Sequence, residues 1–208
     1  MGKVVETIQS IGKTIKATKL GNQQLYKTRI KNKNKLKAKN MTTKKTNLSD
    51  YNPDMIPSGK NFNIGIVVSD WNPTITNSLL DGAYSTLVDF GVERNNISVE
   101  HVPGSFELPT GAKLMLKYGK YDAIICLGCV IQGETRHFDF ICDAVANAIA
   151  QLAIDENKPV IFGVLTTNDM QQAIERSGGK HGNKGVEAAV TALKMAALKE
   201  RIKQSEKK

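Results

Sequence analysis

The chain has 208 residues, 40% of them hydrophobic, enough for one domain with a real core. Its formal charge of +9 is unevenly spread: residues 1–45 hold thirteen Lys/Arg and one acid, Glu6, a local net of +12, whereas the remainder nets −3. The longest apolar-rich run, Ala144–Ile154, is interrupted by Asn147 and Gln151, well short of the roughly 20 residues of a membrane span, and the start lacks the compact apolar core of a secretory signal. Three cysteines suit a reducing compartment rather than a disulfide framework. A cytoplasmic protein is expected, with organellar targeting by the basic leader left open.

Residues 1–45 are rich in Lys, Asn and Thr and hold one aromatic residue, Tyr26. Such a segment buries too little apolar surface to offset its ordering entropy. Val4, Ile8, Ile11 and Ile15 recur at helical spacing with lysines interleaved, which allows a transient basic helix. A disordered appendage, a targeting or polyanion-binding arm, and a stretch ahead of an alternative start at Met41 are the competing readings. Nucleic acid is expected as a partner only through this leader. Residues 46–60 read as an extended arm, 61–203 as the folded domain and 204–208 as a polar tail.

From Asn61 the pattern is regular. Asn61–Ser69 is a β-branched strand, and Thr74–Phe90 carries Ile75, Leu79, Ala83, Leu87 and Phe90 at helical spacing before a stop at Gly91. Ile97–Val102 follows as a strand and Leu108–Leu116 as a helix ending near Gly119. Tyr121–Ile131 is the third strand, Phe138–Glu156 the third helix and Pro159–Thr166 the fourth strand. A short helix at Met170–Arg176 leads through a flexible glycine-rich loop to a final helix, Val186–Arg201. Strict β/α alternation implies right-handed crossovers and a parallel sheet covered on both faces. Ligands of such sheets bind beyond the carboxyl ends of the strands, and the unusual residues of the chain cluster there.

The stretch Gly128–Phe138 breaks a buried strand at glycines and opens a helix with His137 in its first turn. That geometry offers free backbone N–H groups for an anion beside a titratable imidazole. Trp71, the only tryptophan, directly follows a strand; it either covers the sheet edge or offers a π-face to a flat heteroaromatic ring. Ser105 and Glu107 lie in the strand-to-helix turn Pro103–Pro109, where Glu107 either complements the helix dipole or orients a polyol or amine. The stretch from Arg176 to Gly185 crowds three permanent cations among glycines: a helix end and turn, or a phosphate clamp with Arg176 as a bidentate fork. Cys126 and Cys129 form a CxxC, but only the isolated Cys142 follows, so zinc ligation gives way to buried thiols on opposite faces of a strand. Neither a P-loop nor a Gly-x-Gly-x-x-Gly signature occurs.

From about Asn61 to Leu198 the chain closely resembles the lumazine synthases of riboflavin biosynthesis. The resemblance rests on four ordered motifs: Trp71-Asn72, Pro103-Gly104-Ser105-Phe106-Glu107, Gly-x-Val-Ile-x-Gly-x-Thr-x-His at 128–137, and Arg-x-Gly-Gly-Lys-x-Gly-Asn-Lys-Gly at 176–185. It implies a three-layer α/β/α sandwich around a four-stranded parallel, flavodoxin-like sheet. The implied reaction joins 5-amino-6-(D-ribitylamino)uracil to 3,4-dihydroxy-2-butanone 4-phosphate, releasing phosphate and water, with neither metal nor redox cofactor. Residue by residue, Trp71 would stack on the pyrimidine, a position where many members carry Phe. Ser105, Phe106 and Glu107 would hold the ribityl chain, and Cys129, Val130 and Ile131 would border the pyrimidine edge. Gly133, Glu134 and Thr135 would hold the butanone phosphate with Arg176, and His137 would transfer protons. Phe162, Arg176 and Lys184 are expected from a neighbouring subunit, Phe162 and Lys184 completing the ribitylaminouracil site. The resemblance also implies pentamers, with a sixty-subunit shell suggested by the compact Gly178–Gly185 loop. The alternative in a different class is a non-catalytic flavin- or lumazine-binding or shell-forming scaffold whose leader binds nucleic acid.

Overall fold

The computed structural model describes residues 49–206; the readings of residues 1–45 as a disordered or polyanion-binding leader lie outside the described residues. Four strands, β1 (Ile64–Ser69), β2 (Ile97–Val102), β3 (Ala123–Ile131) and β4 (Val160–Thr167), alternate with helices α1 (Pro73–Asp89), α2 (Leu108–Tyr118) and α3 (His137–Asp155). The strands form one parallel sheet in the order β2-β1-β3-β4. After β4 come the short helix α4 (Met170–Arg176), strands β5 (Ser177–Gly179) and β6 (Gly182–Asn183), and the long helix α5 (Lys184–Ser205).

Side chains alternate across a strand, and here the alternation separates two cores. Ile64, Ile66 and Val68 of β1 with Ile125 and Leu127 of β3 face α1 and α5, where Ile75, Leu79, Leu87, Ala189 and Leu193 are buried. Val67, Ile124 and Cys126 face the opposite layer, against Leu108, Ala112 and Met115 of α2 and Val145 and Ile149 of α3. The result is the expected three-layer α/β/α sandwich. Strand β1 is buried along its whole length and β3 along all but its last two residues, as befits a parallel sheet covered on both faces. Order reverses between β1 and β3, which makes their carboxyl ends the switch point at which ligands bind in open α/β sheets.

Two differences from the sequence expectation lie at the carboxyl side of β4. The glycine-rich stretch is not simply a flexible loop: Ser177–Gly179 and Gly182–Asn183 pair as a small antiparallel hairpin. The final helix begins at Lys184, two residues before the expected Val186, and runs to Ser205, into the expected polar tail. Asn183 causes the early start. As N-cap its Oδ1 accepts from the backbone N–H of Gly185 (2.8 Å) and Val186 (3.3 Å). Its Nδ2 donates to the carbonyls of Ser78 (2.9 Å) and Ser177 (3.2 Å), so one side chain ties α5, α1 and the hairpin together. The arm at 49–60 is extended but for a 3-10 turn at Pro53–Met55; Gly59 donates its N–H to Phe90 (2.7 Å) and Ser49 Oγ donates to Asn183 (3.0 Å).

Helix α5 crosses α1 with no room to spare. Gly185 is buried, and any side chain there would run into the Leu79 carbonyl. Gly185→Ala is expected to cost about 3 kcal/mol, at the upper end for overpacking because backbone rather than a movable side chain is struck. A lowered urea midpoint, or failure to accumulate as folded protein, is the readout; an unchanged midpoint contradicts the crossing.

Candidate active site

The cleft at the switch point exists because β3 is longer than β1. Their pairing ends at Val68 opposite Leu127, whereas β3 continues beside β4 to Ile131 opposite Thr167. Gly128–Ile131 therefore have a strand on one edge only, and on the other a cleft of about 460 Å³ opens. Gly128 is required beneath it: a side chain there would meet the Ser105 hydroxyl at 2.6 Å and Leu108 at 2.9 Å. Its absence lets the Ser105–Glu107 turn close down on β3.

The cleft brings together Trp71, Ser105, Phe106, Glu107, Cys129, Val130, Ile131, Gly133, Thr135 and His137, ten of the residues the sequence nominates. Two large aromatic rings stand open to it, Trp71 at 71% exposure and Phe106 at 57%, an arrangement suited to sandwiching or covering a flat ligand. The Ser105 hydroxyl is buried with no hydrogen-bond partner among the described residues, an unpaired polar group that calls for an explanation. His137 is the first residue of α3, and its backbone N–H reaches Thr135 Oγ1 at 3.4 Å. In the same first turn the Asp139 N–H donates to the Arg136 carbonyl at 3.1 Å, and the positive end of the helix dipole lies at this turn.

The two thiols of the CxxC lie in different core layers, Cys126 among the α2/α3 contacts and Cys129 among the α1/α5 contacts. Burial pushes Cys126 up to about 12 and Cys129 to about 11, so both stay protonated and inert near neutral pH. Cys129 enters the cleft as an apolar wall.

Four nominated residues lie elsewhere. Glu134 is exposed in the turn before α3, outside the residues lining the cleft. Phe162, Arg176 and Lys184 line a second cleft of about 640 Å³ on the far side of β4. Within one chain, then, the cations are not beside His137. They are held by an acid that the sequence reading missed: Glu187 takes Arg176 at 3.3 Å on one carboxylate oxygen and Lys184 at 3.1 Å on the other. The signal was available, since Lys184 and Glu187 are three apart on one helix. Thr167 Oγ1 also lines this second cleft, buried and without a partner among the described residues.

Asn72, noted in the sequence only as the neighbour of Trp71, is the strut of the first cleft. It adopts the left-handed conformation (φ 61°, ψ 56°) as N-cap of α1, uncommon for a residue with a side chain. Its Nδ2 donates to the Cys129 carbonyl at 3.1 Å, spanning the gap where β1 has left β3.

With this geometry in place, comparison with known proteins is decisive. The family model of 6,7-dimethyl-8-ribityllumazine synthase matches residues 61–200. The chain belongs to that family. A relative from Porphyromonas gingivalis bearing that name is 55% identical over 162 residues, covering 78% of this chain and 100% of its own. Relatives of the same name from Flavobacterium johnsoniae (53% over 160 residues, 77% and 84%) and Phocaeicola vulgatus (50% over 166 residues, 80% and 99%) are similar to the same extent. Among the described residues no helix is long and apolar enough to cross a membrane.

Asn72→Ala removes the tether and leaves a side-chain-bearing residue in the left-handed region. Asn72→Gly removes the tether alone. Both are expected to weaken binding of a flat heteroaromatic ligand several-fold, read as quenching of Trp71 fluorescence, with Asn72→Ala destabilised by about 1 kcal/mol more than Asn72→Gly. Unchanged quenching in both variants contradicts the strut.

Proposed function

We propose that this chain condenses 5-amino-6-(D-ribitylamino)uracil with 3,4-dihydroxy-2-butanone 4-phosphate, giving 6,7-dimethyl-8-ribityllumazine, phosphate and water. The observation that carries this reading is the single cleft uniting Trp71, the Ser105–Glu107 turn, the free edge of Cys129–Ile131 and the Thr135–His137 helix start, in a member of this family. The pyrimidine stacks on Trp71 with its polar edge against the backbone groups of Cys129–Ile131. The ribityl chain runs along Ser105, Phe106 and Glu107, where the unpartnered Ser105 hydroxyl meets one of its hydroxyls. The phosphate of the second substrate sits at the turn of Gly133, Glu134 and Thr135, before the amino end of α3.

The chemistry follows from the reacting groups. The 5-amino nitrogen adds to the ketone and water leaves, the phosphate is expelled from the neighbouring carbon chain, and the ribityl-bearing nitrogen closes the ring with loss of a second water. Each stage moves a proton on or off nitrogen or oxygen near neutral pH, a task for the His137 imidazole at the cleft wall. Acid–base help is worth roughly 10²–10⁴-fold, and holding two substrates in register supplies the greater share.

The second cleft supports the view that a complete site needs a neighbour. Strand β4 is an edge strand carrying no charged residue, the kind of edge that proteins cover, and Phe162, Arg176 and Lys184 stand around it. A second copy that seats this edge over the first cleft delivers Phe162 to the ring, Lys184 to the ribitylaminouracil, and Arg176 to the phosphate. We read the assembly as a homopentamer, with a sixty-subunit shell as the larger form.

Two variants test this. His137→Ala is expected to lower kcat by about 10²–10⁴-fold while leaving measurable lumazine formation, followed by the product chromophore; complete loss in a folded, assembled variant contradicts a mechanism dominated by positioning. Arg176→Gln is expected to raise KM for the butanone phosphate by roughly 100-fold, the loss of a bidentate charge-assisted pair, with little change for the uracil substrate. Co-assembling the two variants recreates sites that contain both native residues and should restore activity above either parent; no recovery in mixed assemblies assigns both residues to one chain.

A further inference from the structure

We propose that the opposite end of the sheet carries a second anion site, in which Lys120, Lys158, Lys199 and Lys203 receive a small phosphate-type anion. The four lysines border a pocket of about 260 Å³ beneath the amino ends of β1 and β3, with Phe62, Tyr121 and Ala196 among the residues lining it. Strand β1 separates it from the proposed catalytic cleft by about 20 Å, six residues at roughly 3.3 Å each.

The charges there are only partly balanced by the protein: four ammonium groups border the pocket with two carboxylates, Asp122 and Glu200. None of the four lysines makes an ion pair with any described residue. The carboxylates that border the pocket are engaged by other groups: Asp122 accepts the backbone N–H of Asn63 at 2.8 Å, and Glu200 accepts from Gln204 at 3.2 Å. Lys199 is half-buried and donates to the Asn157 carbonyl at 2.6 Å. Burial, then the charges of Lys203 and Lys158, hold its ammonium below the usual lysine range, with Asp122 opposing. A multiply charged anion resolves this repulsion, and because it binds only the folded chain it also stabilises the fold. The volume admits phosphate or pyrophosphate, free or as the end group of a phosphorylated metabolite, but not a nucleic-acid strand.

The test is calorimetric titration of the assembled full chain with inorganic pyrophosphate, and in parallel with inorganic phosphate and a simple phosphomonoester. An Arg176→Gln background keeps the proposed catalytic phosphate seat out of the measurement, so this site and the functional reading fail separately. Binding should persist in Arg176→Gln and fall at least tenfold on adding Lys120→Gln and Lys203→Gln, both exposed and free of ion pairs. Lys117→Gln with Lys194→Gln, the same loss of charge elsewhere, should leave it unchanged, and lumazine formation in the otherwise native chain should survive Lys120→Gln/Lys203→Gln. A preference for the phosphomonoester identifies the end group of a metabolite, and equal binding identifies the free anion. The proposal is overturned if Arg176→Gln alone abolishes binding, if the two lysine pairs behave alike, or if these lysines retain a single-stranded oligonucleotide in preference to pyrophosphate.

Discussion

The molecule turns on a mismatch in strand length. Strand β3 outruns β1 at its carboxyl end, and the unmatched residues Gly128–Ile131 present backbone donors and acceptors that the sheet does not satisfy on that side. A buried backbone group left without a partner is costly, so this edge must be met by something. Asn72 meets part of it at the Cys129 carbonyl, and the rest faces the cleft. The neighbouring features serve that opening: glycine at 128 admits the Ser105 turn, the left-handed Asn72 turns the chain into α1 directly after Trp71, and α3 starts at His137.

The second organising fact is separation. Trp71, Ser105, Phe106 and His137 line one cleft, and Arg176 and Lys184 line another across β4 together with Phe162, Thr167 and His181. In the single chain Glu187 pairs with both Arg176 and Lys184, holding two cations close to a charge-free edge strand while compensating one of their two charges.

Much of this was legible in the chain itself. The order of strands and helices follows from local periodicity, and the observed elements differ from it mainly at their ends: β1 starts at Ile64 rather than Asn61, and α5 at Lys184 rather than Val186. The misses share a cause. Asn183 looked like one polar residue in a glycine-rich turn, but it bonds Ser78, 105 residues away, and Ser49, 134 residues away. The hairpin it fixes involves glycines, whose sequence reads as freedom until long-range partners remove it. Glu134 shares a motif with Thr135, yet adjacent residues in a turn face different directions, and only Thr135 lines the cleft. The CxxC shows the reverse case, because the two-residue period of a strand already sets the thiols on opposite faces.

The sequence by itself determined the class of fold, the end of the sheet at which the nominated residues gather, and the identity of most groups there. These depend on periodicity and on strand-to-helix turns, which are written within a dozen residues. Only the tertiary structure decided that Phe162, Arg176 and Lys184 share a second cleft while Glu134 lines neither, that Glu187 holds the cations, that Asn72 bridges β1 and β3, and that four scattered lysines meet under the sheet. Each of those depends on strand register or helix crossing, set by the packing of whole layers rather than by any stretch of neighbouring residues.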